Sequence, residues 1–303
     1  GQEAQERQEG QEGKCETVEP SLRFFPFPSR LPPFPPFPPI VVLFLFLTHL
    51  AIGIIFTLAL VSREAGVKFF RFNAGLAAIL IAVALAFRTG GAESTVARVA
   101  LGALIVAEAA VVLYWATVGR TLASIRPAIV AAACLAGVTA LVLQAIDVTS
   151  GWSPTVTALT VASFLSSAGL LGITCTAMIL GHWYLVIPSM KVSYLQSMVK
   201  LHIVSLVLRV AVVAAAIFVA VVTWQPGLGP SFRHYTQSLD GIFFWMRVLF
   251  GLAGPAVLAY LTWETAKIQS TQSATGILYV DLFTVVVGEL LAKAVLLATR
   301  VPV

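Results

Sequence analysis

Charge is scarce in this chain. Asp, Glu, Lys and Arg make up 11% of its 303 residues, against 58% hydrophobic residues. A soluble globular domain carries about 25% charged residues, so this chain has too little polar surface to solvate a water-soluble fold. Reactive motifs are scarce as well. There is no Walker A run, no GxSxG, no HExxH and no GxGxxG between a strand and a helix. Those absences set aside the hydrolase, zincin and dinucleotide chemistries that the motifs carry. The three cysteines, Cys15, Cys134 and Cys175, lie far apart with no CxxC or CxxCH spacing. Neither a zinc ribbon nor covalent haem attachment is indicated, and Cys134 and Cys175 read as small packing residues within helices. Of four histidines, His234 falls in a loop, so a multi-histidine metal site is not expected. The net charge of +5 is no nucleic-acid signal, because the basic residues sit in short loops between apolar runs.

What the chain has in abundance is apolar length. The mean hydropathy is +0.92, and apolar stretches of about 20 residues recur, the length that crosses a bilayer core. The expected fold is an all-α, polytopic membrane bundle of eight spans, at about 40–61, 69–87, 97–117, 127–147, 154–186, 199–223, 242–262 and 276–297. Pro127 and Ser153-Pro154 sit where a helix start places them. Gly254-Pro255 falls inside the seventh span and predicts a kink. Small residues recur four apart in spans three, five and six: Ala103 and Ala107; Ala168, Gly172 and Thr176; Ala216 and Ala220. Such spacing lets helix backbones approach closely.

Residues 1–39 are a different material from the membrane domain, 40–303. The first part is rich in Gln, Glu and Gly, and residues 24–39 hold eight of the sixteen prolines. Neither stretch builds a core or a regular helix. It reads as a disordered tail or sequence upstream of a mis-called start, with a Pro-rich partner-binding arm as the alternative. It lacks the basic start of a signal peptide. Basic residues in loops 1–2, 3–4, 5–6 and 7–8, among them Arg63, Lys68, Arg120, Lys191 and Lys267, outnumber those opposite. That bias puts this side in the cytoplasm of a bacterial inner membrane and both termini outside. The loop after span six carries Trp224, Phe232 and Tyr235 as interfacial anchors.

Ionisable groups inside a span usually face the bundle interior. Counting about 1.5 Å per residue sets His49, Glu108 and Arg209 near the midplane, with Glu289 between it and the outer face. Glu108 and Arg209 are expected to pair across helices, since each alone is costly to bury. Lys293, one turn after Glu289, is placed to pair along the same helix, or else to snorkel to the headgroups. These five form a proton relay or a set of buried ion pairs. Asp147, Asp240, Asp281 and Arg247 lie near span ends and read as solvated or interfacial.

The densest polar sequence is 178–209. His182, Trp183 and Tyr184 close the fifth span before Pro188, and His202 opens the sixth. The two histidines share a depth, so facing helices would present them to a quinone head group or to the two faces of a haem b. The alternative is an interfacial His-Trp-Tyr cluster that anchors helix ends.

Two stretches carry a family likeness. LFLTHLAIGIIFTL in the first span and VDLFTVVVGELLAKAVLL in the last resemble the membrane-anchor subunits of molybdenum oxidoreductases, the DmsC/NrfD group. The resemblance implies an eight-span subunit that exchanges electrons with quinone and docks an iron–sulfur partner. It places Glu289 on its matching helix without giving it a role. The leading expectation is therefore a quinone-handling subunit, with or without haem b, of a larger membrane redox complex. Its head-group site would be His182, Trp183, Tyr184 and His202. A proton-coupled transporter built on Glu108, Arg209 and His49 is the alternative, and a structural or assembly subunit is the third.

Overall fold

The structure is a computed structural model that describes residues 39–88, 94–120, 123–186, 190–223, 232–238 and 241–303. The tail up to residue 38, Pro188, Trp224 and Asp240 lie outside these. The described residues form α1 (Pro39–Leu60), α2 (Val67–Phe87), α3 (Thr95–Thr117), α4 (Arg126–Val148), α5 (Pro154–Val186) and α6 (Ser193–Val222). After them come α7 (Phe232–Gln237), α8 (Ile242–Val248), a π-helical turn (Leu249–Ala253), α9 (Gly254–Lys267) and α10 (Thr271–Thr299). With α8, the π turn and α9 counted as one span, eight helices are long and apolar enough to cross a membrane. The chain is an all-α polytopic membrane protein, and lipid is its solvent. Two elements run longer than hydropathy suggested: α6 begins at Ser193 and α10 at Thr271. The first turns of both are polar, and helical backbone continues through them.

α1 is the central helix. In its most apolar window 61% is buried inside the bundle, against 28% in α3 and in α6, so α1 faces protein while the other two face mostly lipid. It packs against α2, α4, α5 and α10. Glycine sets the closest approach. A Cβ on Gly53 would lie 2.0 Å from the Ala168 carbonyl oxygen, and one on Gly172 would lie 2.0 Å from the Gly53 carbonyl carbon. The small-residue stripe of α5 is thus the surface that receives α1. One turn on, Thr57 and Thr176 share a hydrogen bond of 2.7 Å.

Gly254-Pro255 does break the regular ladder. Pro255 has no N–H to give to the carbonyl of Gly251, and its ring crowds that carbonyl. The backbone widens before it, and the Gly254 N–H reaches five residues back to Leu249 O. This π turn lays Gly251 against Gly288 of α10, where a Cβ on Gly288 would stand 2.1 Å from the Gly251 Cα. In α7, Phe232 is buried edge-on against Phe244 at 5.4 Å rather than standing as an interfacial anchor. Tyr235 of the same helix stacks on the Phe232 ring at 6.0 Å.

Candidate functional site

α1, α5, α6, α8 and α10 each send a polar side chain to one point inside the bundle. At its centre is the Glu289 carboxylate of α10, with no exposed surface. Arg209 of α6 grips it with two parallel bonds, Nε to Oε1 at 2.9 Å and Nη2 to Oε2 at 3.1 Å. Arg247 of α8 donates Nη2 to Oε1 at 3.0 Å. Lys293, one turn on, places Nζ 3.3 Å from Oε2. Ser167 of α5 donates to Oε2 at 2.5 Å. All three cations are essentially buried, and a fork-on-carboxylate geometry is the strong form of such a bond.

Ser167 links this knot to α1. Its oxygen lies 2.9 Å from Lys293 Nζ and 3.2 Å from His49 Nδ1. A hydroxyl has one proton, and Glu289 takes it. Lys293 and His49 must therefore both donate to Ser167, which fixes the proton of His49 on Nδ1. The His49 ring also stands edge-on to Phe164 at 4.5 Å, and its buried Nε2 has no hydrogen-bond partner. Arg209 extends its other amine to Ser163 Oγ at 2.7 Å.

A second polar tier lies on the same three helices. Asp281, Thr174 and His202 stand two turns along α10, α5 and α6, about 10–12 Å away by helical rise. His202 Nδ1 is 2.9 Å from Thr174 Oγ1, and Nε2 is 2.8 Å from Asp281 Oδ2. The pair is at ion-pair distance but out of line for a good hydrogen bond, and neither Asp281 oxygen has another partner. The Thr174 hydroxyl already donates to Leu170 O at 2.7 Å, so Nδ1 donates to it.

Of the residues expected to relay protons, the structure gathers His49, Arg209, Glu289 and Lys293. It does not bring Glu108 to them. Glu108 is half-buried on α3, its Oε2 enclosed and without a partner. The expected Glu108–Arg209 pair is replaced by Glu289–Arg209, because equal depth does not make two helices neighbours. α3 packs on α2 and α4, whereas α6 packs on α5 and α9. Lys293 bonds within the bundle rather than snorkelling. Arg247 and Asp281 correct a second expectation, since both have no exposed surface. Asp281 stands well inside α10 once the helix starts at Thr271, and Arg247, in the last turn of α8 just before the π turn, lies where α8 packs on α10. Asp147, half-buried, takes a 2.6 Å bond from Ser94 and stays at a helix end.

The proposed head-group residues occupy separate surroundings. His182 is exposed and 3.1 Å from the Tyr279 hydroxyl. Trp183 packs edge-on against Phe69 at 5.9 Å. Tyr184 is buried and closes the α5–α6 hairpin, donating to Lys191 O at 2.5 Å and accepting from Leu195 N–H at 3.3 Å. His202 faces Asp281 instead. Among the described residues no group of His, Cys, Asp and Glu is arranged to hold a metal ion. Sequence reasoning missed Arg247, Asp281, Ser163 and Ser167. The serine pair, spaced one turn apart on α5, was the signal available for two of them.

No protein-family model matches the chain, and no curated protein and no solved structure is similar to it at a significant level.

Proposed function

We propose that this protein is a proton-coupled carrier of the bacterial inner membrane, with the Glu289 knot as its working site. One observation carries the reading: four spans meet at a single buried carboxylate that three cations and a serine hold, and a fifth joins through His49 on that serine. Buried ionisable groups in lipid are expensive, and they mark ion or proton paths. The His202–Asp281 pair, two turns away on the same helices, extends the path toward the side where α10 begins. The π turn between α8 and α9 adjoins Arg247, and such turns accompany functional sites and re-aim side chains. The test is proton flux into liposomes containing the purified protein, read with an enclosed pH dye. Flux above that of empty liposomes is expected, and Glu289→Gln should reduce it at least tenfold. Equal flux from empty liposomes, or full flux from folded Glu289→Gln, would sink the reading.

A redox reading has its own observation. The two spans that resemble molybdenum-oxidoreductase anchors are α1 and α10, which supply His49, Glu289 and Lys293 to the knot. On that reading the site moves protons for a quinone-linked complex and docks other subunits. A visible difference spectrum and quinone extraction discriminate. Stoichiometric quinone or a b-type band would favour the redox subunit over the carrier.

A further inference from the structure

Beside the knot is a small cavity whose polar walls are Arg209, Lys293, His49, Ser163 and Ser167. Phe164, Ala292, Leu296 and Val303 complete it, and no side-chain carboxylate lines it. We propose that this cavity binds a small inorganic anion of halide size, the substrate or co-substrate of the carrier. The identification as cargo rests on the proton-coupled reading; the binding itself does not.

The first argument is charge balance. Arg209, Arg247 and Lys293 share one carboxylate, Glu289. Arg209 also approaches the backbone oxygen of Val303 at 3.4 Å, and even a full negative charge there would leave one cation unmatched. Asp281 does not supply the balance, since it faces His202 two turns away. Unpaired charge in a low-dielectric interior is strongly unfavourable, and an anion against Arg209 and Lys293 removes the imbalance where it arises.

The second argument is the lining. The cavity carries the N–H groups of Arg209 and Lys293 and the Ser163 hydroxyl, all able to point inward. A serine hydroxyl, an ammonium and a guanidinium around one small space form a donor cage suited to an anion. The third argument is size. The space available to water centres is about 10 Å³, room for roughly one water-sized occupant. That admits fluoride or, with slight yielding of side chains, chloride. Sulfate, phosphate and carboxylates are too large.

The experiment uses the full chain in detergent, moved from gluconate to chloride or fluoride at constant ionic strength. The readouts are the thermal unfolding midpoint and equilibrium binding of radioactive chloride. A saturable rise in the midpoint with a halide, absent with sulfate, is expected. Ser163→Ala should weaken halide binding about tenfold, and Ala292→Val, which fills the cavity, should abolish it. A salt effect that follows sulfate above chloride would overturn the proposal. So would halide binding unchanged in both variants, or no halide binding by protein that still shows Glu289-dependent proton flux. Halide binding lost in the variants, without proton flux in liposomes, would uphold the anion site and overturn the carrier reading alone.

Discussion

At Ser167 a single hydroxyl proton orders the whole knot. Because it is committed to Glu289, the serine oxygen is left to accept from Lys293 and from His49. This network ties α1, α5 and α10 together. Removing the carboxylate should therefore hurt more than removing the hydroxyl. Glu289→Ala leaves three buried cations facing one another and should cost about 3–5 kcal/mol of stability. Ser167→Ala forfeits hydrogen bonds to charged groups and should cost about 1–3 kcal/mol. Denaturant unfolding of both variants in the same detergent checks the order. A smaller loss for Glu289→Ala would mean that the cations are balanced by some other group.

The residue scale is also where sequence reading reached its limit. His49, Arg209 and Glu289 were legible as buried ionisable groups, and Lys293 as one that could pair or snorkel, because ionisable side chains stand out in apolar runs. Their partners were not. Glu108 has the same depth and the right charge for Arg209, yet it sits on a helix that does not adjoin α6. Arg247 looked interfacial by its place in sequence, whereas the structure buries it against Gly251 and Glu289.

For the elements, glycine decides which helices touch. The α1–α5 crossing at Gly53 and Gly172 and the π turn–α10 crossing at Gly251 and Gly288 leave no room for a Cβ. Gly102 and Gly276 lie on helices with open space around them. Gly53→Ala and Gly288→Ala should each destabilise by at least about 1–3 kcal/mol, since backbone must move. Gly102→Ala should be neutral or stabilising by up to about 1 kcal/mol through helix propensity. Thermal unfolding of the three variants gives the comparison, and equal behaviour would refute the close-packing account. The kink was legible from Gly254-Pro255 alone, because proline lacks the donor the ladder needs. Its π form, and the approach to Gly288 that it allows, depend on a helix met only after folding.

For the molecule as a whole, loop charge predicts an orientation. The loops holding Arg63, Lys191 and Lys267 should face the cytoplasm. Single cysteines at Ser62 and at Ser270, in a chain with its own three cysteines replaced, should be shielded from a membrane-impermeant thiol reagent in intact cells and react in inverted vesicles. A cysteine at Ser94 should behave in the opposite way. Reversal of the pattern would reverse the topology and with it the direction of any transport.

By itself the sequence determined that this is an eight-span membrane bundle, because apolar run length answers directly to bilayer thickness. It also marked most of the buried charges, because lipid makes each of them costly. Only the tertiary structure decided which of them meet. Depth along a span is a property of one helix and is written in residue number. Pairing depends on which faces of which helices adjoin, and glycine contacts and a π turn far apart in sequence set that arrangement. Glu289 therefore stands among Arg209, Arg247, Lys293 and Ser167, and Glu108 stands apart.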